Sequence, residues 1–106
     1  MQLIDSQTSA GVSREVDLHG QSVQSVSIEV AGATALSIDI QVSFGYSRGF
    51  RSNFTTILSH TLMDSELAEG KAFLNMGSQR GGWFRINVTN LSGVVPSLNL
   101  WIDIQP

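Results

Sequence analysis

Leu36, Ile38, Ile40, Val42 and Phe44 alternate without a miss with Ser37, Asp39, Gln41 and Ser43. Successive side chains of a strand point to opposite faces of its sheet, so a period of two predicts a strand with one face buried. Val26, Ile28 and Val30 repeat the pattern against Ser25, Ser27, Glu29 and Ala31, and Gly32-Ala33-Thr34 follows with turn chemistry. The two runs are therefore expected to pair as a hairpin. Phe84, Ile86 and Val88 alternate with Arg85, Asn87 and Thr89, and Leu98, Leu100, Ile102 and Ile104 with Asn99, Trp101, Asp103 and Gln105. Shorter strand signals occupy 12–18, 54–62 and 72–76, the last with Ala72, Leu74 and Met76 on one face.

Glycines at 32, 45, 49, 77, 81, 82 and 93, with Pro96, fall between these runs at the spacing of turns in antiparallel β domains. That places about seven strands in the chain. One helix is a candidate, over 61–69, where Thr61 and Asp64 have capping-box spacing and Gly70 is placed to close the C-terminus. Alternating strands bury one face and wet the other, so the expected fold is all-β: a single antiparallel β-sandwich of jelly-roll or immunoglobulin-like type. Residues 14–106 make that domain, and 1–13, rich in Ser, Thr and Gln, are either an N-terminal arm or an edge strand.

Composition narrows the chemistry. With 106 residues the chain has room for one core, and 42% apolar content suffices to fill it. The absence of cysteine removes disulfides, thiolate metal sites and cysteine nucleophiles. A net charge of −3 argues against a nucleic-acid track. No apolar run approaches the length of a membrane helix, and the first residues lack the basic and apolar regions of a secretory signal, so an intracellular origin is expected.

Catalytic constellations are weak. His19 and His60 are the only imidazoles, and neither lies in a Gly-x-Ser-x-Gly elbow. Asp17 and His19 have strand spacing and supply two metal ligands at most, with His60 a distant third. Asp64, Glu66 and Glu69 lack the spacing of a calcium loop and read as a solvated face. No catalytic, metal or cofactor residue is assigned, and a non-enzymatic protein is expected. The segment 44–54 interleaves aromatic residues with arginine and glycine, and Tyr46, Arg48, Phe50 and Arg51 are candidate contact residues there. Trp83 and Arg85 extend that patch if the 77–82 loop lies at the same end of the sandwich, and Trp101 joins the candidate set because strict alternation puts it, like Trp83, on the outward side of its strand.

The alternating run at 34–43, the Gly/aromatic loop after it, Gly82-Trp83-Phe84-Arg85-Ile86-Asn87-Val88-Thr89-Asn90 and the run at 98–104 resemble small virion proteins of tailed bacteriophages. The similarity spans 27–104 and is one of strand pattern. Where many such chains carry Asp-Gly after the alternating strand, this one has Arg48-Gly49. The resemblance implies a compact β-sandwich that serves as a capsid decoration or cement protein. It would be assembled into the virion in the host cytoplasm, bind the major capsid protein lattice and act as a homodimer or homotrimer. From the residues themselves the alternative is a carbohydrate- or receptor-binding module, tail-associated, that uses the aromatic and arginine surface.

Overall fold

The computed structural model describes residues 1–43 and 54–106. Its elements in chain order are β1 (Gln2–Gln7), β2 (Gly11–Val12), β3 (Val16–Asp17), β4 (Ser22–Ser43), β5 (Thr55–Thr61), α1 (Asp64–Glu69), β6 (Lys71–Arg80) and β7 (Trp83–Gln105). Every strand pairing is antiparallel, and the seven strands are hydrogen-bonded into one sheet. The all-β expectation is what the structure shows.

Two strands dominate. β4 and β7 pair along their whole lengths, from Ser22 opposite Gln105 to Ser43 opposite Trp83. At about 3.3 Å per residue a straight strand of 22 residues would reach roughly 70 Å, but the longest dimension of the molecule is 42 Å. The ribbon therefore bends, and the bend divides it into two halves. In the first half, β6 and β1 flank the ribbon on the β4 and β7 sides respectively. In the second, β5 flanks β4, and β2 and β3 flank β7.

The bend corrects the sequence reading at two places. The runs 25–31 and 36–44 do not form a hairpin with each other: as far as Ser43 they are successive parts of β4, each paired with its own part of β7. Likewise Ser92-Gly93 and Pro96 do not end a strand but lie inside β7. Between the pairs Ala31–Ser97 and Ala33–Gly93, β4 advances by Gly32 alone while β7 passes through Val94, Val95 and Pro96. This mismatch is a bulge, which bends a strand and sharpens its twist.

Parity carries the inward face through the bend. Val26, Ile28, Val30, Leu36, Ile38, Ile40 and Val42 of β4 are all buried, and Phe84, Ile86, Val88, Leu98, Leu100 and Ile102 face them from β7. The two halves contribute to one core, which Leu3 and Ile4 of β1 and Val16 and Leu18 complete. Thus residues 1–13, read from sequence as arm or edge strand, lie along β7 as β1 and β2. Among the described residues one polar atom is out of place: the Ser43 hydroxyl is buried without a hydrogen-bond partner there. Ser43→Ala is expected to raise the unfolding free energy by about 1 kcal/mol, read as a higher urea midpoint, since it removes an unsatisfied group at no cost in contacts.

The helix begins later than the sequence signal suggested. Thr61 still belongs to β5 and bonds Ser37 through its hydroxyl at 2.9 Å. The N-terminus is instead held by Glu66, whose carboxylate accepts from the Met63 backbone N–H at 2.9 Å. Gly70, with φ of 76°, closes the C-terminus as expected, and its carbonyl accepts from the Val30 N–H.

Candidate functional site

The outward face of the first half carries the most exposed aromatic surface among the described residues. Register places Ser27 of β4 opposite Phe73 of β6 on one side and opposite Trp101 of β7 on the other. Phe73, Ser27 and Trp101 therefore form one row across three strands, with Gln2 of β1 beyond Trp101. Adjacent strands lie about 4.8 Å apart, so the two aromatic residues are anchored roughly 10 Å from each other. In the next row Glu29 faces Lys71 on one side and Asn99 on the other. α1 stands beside this face, and Glu66 and Glu69 on it complete a concavity of about 600 Å3 whose floor includes Ser27, Phe73 and Trp101.

Alternation explains why these side chains point outward. Ala72, Leu74 and Met76 of β6 pack against the core, which turns Phe73 to the other face, where 65% of it is exposed. Trp101 lies between Leu100 and Ile102, both buried, and is half-buried itself. The side-chain polar atoms of Ser27, Glu29, Glu69, Lys71 and Trp101 have no hydrogen-bond or ion-pair partner among the described residues.

The outward face of the second half is different, because its polar groups satisfy one another. Ser59 donates to Asp39 at 2.7 Å, Gln41 donates to Thr56 at 3.0 Å, and Ser37 meets Thr61. Arg85 is held hardest. Its Nε donates to Gln41 at 2.7 Å, its guanidinium lies 4.0 Å from the centre of the Phe54 ring, and Glu15 is 3.9 Å away. Trp83 sits on this face opposite Ser43 and Asp17. The candidates Trp83 and Arg85 are thus together on one half and Trp101 is on the other, while Tyr46, Arg48, Phe50 and Arg51 lie outside the described residues.

The histidines fall into structural settings. His19 follows β3 in a turn with φ of 48°, its backbone N–H donating to Asp17 at 3.0 Å, and its side chain is 80% exposed. His60 lies 3.2 Å from Glu66 and ties β5 to α1. Among the described residues no group of three or more His, Asp or Glu is placed to hold a metal ion. Nor is any helix of the described residues long and apolar enough to cross a membrane.

Trp101 was legible from sequence as an outward residue, and Glu66 and Glu69 stood out as a carboxylate group. Phe73, Ser27, Glu29 and Lys71 were missed. The signal for Phe73 was present in the inward set Ala72, Leu74 and Met76, but its position beside Trp101 depends on β6 and β7 both pairing with β4. No family model, curated protein or solved structure matches this chain.

Proposed function

We propose that this chain is a non-enzymatic structural protein that works by docking, a capsid decoration protein on the head of a tailed bacteriophage. The strand pattern of 27–104 supplies the particle, and the edge of the sheet supplies the docking surface. The observation that carries the reading is β5. Among the described residues it pairs with β4 on one side alone, none of its residues is buried, and Ile57 and Leu58 are 36% and 39% exposed. Of the devices that protect such edges in monomeric proteins, Thr-Thr-Ile-Leu-Ser-His-Thr has neither lysine nor proline and runs for seven positions, with a single bulge at Ile57. An open, uncharged edge is suited to strand addition, in which main-chain hydrogen bonds supply affinity.

In this reading the chain joins the lattice as a homodimer or homotrimer. Binding to the assembled shell and not to free subunits stabilises the shell by mass action, about 2.7 kcal/mol per site at a hundred times the dissociation constant. Quantitative mass spectrometry of gradient-purified particles is expected to find the chain in fixed proportion to the major shell protein. Ile57→Lys, a charge on the edge at a position already exposed, is expected to abolish addition to shells lacking the protein and to leave thermal unfolding unchanged. Absence of the chain from particles overturns the proposal.

A further inference from the structure

The geometry points to a binding site for a neutral saccharide in the concavity between Phe73 and Trp101. The inference stands apart from the particle reading, since it uses a different half of the molecule and needs no shell. Small-ligand sites are concave, mostly apolar, and carry a few convergent polar groups. This one has two aromatic side chains anchored about 10 Å apart on a hydrogen-bonded sheet, a span that a disaccharide covers. The negative face of an aromatic ring attracts the weakly positive C–H face of a pyranose, which gives stacking without charge.

The polar lining selects among ligands. Ser27, Glu29 and Glu69 offer acceptors, Lys71 and the Trp101 indole N–H offer donors, and none of these is paired among the described residues. Sugar hydroxyls donate and accept, so they match a mixed set. An organic cation would gain from the rings and from the excess of Glu29, Glu66 and Glu69 over Lys71, but, bringing no acceptor, it would leave the Lys71 ammonium and the Trp101 indole N–H unanswered. An acidic sugar would meet Glu29, Glu66 and Glu69 against a single lysine, a net repulsion. A saccharide without charge is the class that uses the donors, the acceptors and both rings together. The rigidity of the sheet holds the anchors in place before binding, which reduces the ordering cost.

The probes are neutral oligosaccharides of glucose, galactose, mannose and N-acetylglucosamine, each beside a counterpart bearing a uronic or sialic acid, titrated while Trp101 fluorescence and calorimetric heat are followed. At least one neutral probe is expected to bind, with its acidic counterpart at least tenfold weaker. Phe73→Ala is expected to weaken binding at least tenfold and to leave the thermal midpoint in place, because that ring packs little within the protein. Trp101→Ala is expected to do the same to binding, and Glu69→Gln to weaken it severalfold. No neutral probe bound at millimolar concentration, a preference for acidic sugars, or binding indifferent to Phe73→Ala would each overturn the assignment. Loss of a self-associated state in Phe73→Ala without any sugar binding would also overturn it, and would reassign the face to contact between copies.

Discussion

Gly93→Ala is expected to lower the unfolding free energy by about 3–5 kcal/mol, a large part of what holds a domain of this size together. A Cβ at position 93 would stand 2.0 Å from the Gly32 carbonyl oxygen and 3.0 Å from the Ala33 Cα, and φ there is 152°. Every atom in the way belongs to backbone, so no side-chain rotation relieves the overlap. The position lies at the bend of the β4–β7 ribbon, where the β4 backbone leaves no room for a Cβ, and relief would have to come from opening the bend. In a domain of about 100 residues such a loss lowers the thermal midpoint by roughly 15–25 °C. Gly20→Ala is the matched control: its φ is also positive, at 79°, but a Cβ would meet nothing within 4 Å. It should show conformational strain alone, about 1–2 kcal/mol. Equal losses for the two substitutions, measured by calorimetry, would refute the close-approach account of the bend.

Phe84→Ala should cost a similar amount for a different reason. Phe84 is fully buried, opposite Val42 on one side and Val16 on the other, and its removal leaves a cavity that a sheet hydrogen-bonded on both sides cannot close. Truncations of this kind cost about 3–5 kcal/mol. The urea midpoint should fall with its slope unchanged, because the surface exposed on unfolding is nearly the same. Phe73→Ala removes the same ring from the outward face, where 65% of it is exposed, and should cost less than about 0.5 kcal/mol. A Phe84→Ala loss below 1 kcal/mol would contradict the assignment of faces.

That pair of phenylalanines shows how far the alternation reaches. Ala72, Leu74 and Met76 set Phe73 outward, and Ile86 and Val88 set Phe84 inward, each within a few residues of local pattern. The same rule placed Trp83, Arg85 and Trp101 on outward faces. It could not show that Arg85 is already occupied by Gln41, Glu15 and Phe54, because those partners arrive from β4, the segment before β3, and the residue before β5. Nor could it show that Trp101 has an aromatic companion while Trp83 lies on the other half.

The hairpin expected at Gly32 failed for a physical reason that the bend makes plain. Glycine with positive φ serves a turn and a bulge equally well, and only the partner strand distinguishes them. A turn would have paired 25–31 with 36–44. Instead β7 offers a matching apolar face to both segments, and pairing with it keeps Val26, Ile28 and Val30 on the same side as Leu36, Ile38 and Ile40. The capping signal at Thr61 was displaced in the same way, since its hydroxyl found Ser37 across the sheet before it could serve a helix.

By itself, then, the order of residues determined the all-β class, the strands' inward and outward faces, the cap at Gly70 and the outward placing of Trp101, all of them consequences of neighbours a few positions apart. Only the tertiary structure decided which strands lie side by side, that two of them run unbroken through a bend, and that residues 27, 73 and 101 meet in one row. Side-chain direction follows from local backbone geometry, whereas strand adjacency follows from competition among distant segments for the same hydrogen bonds and the same buried face.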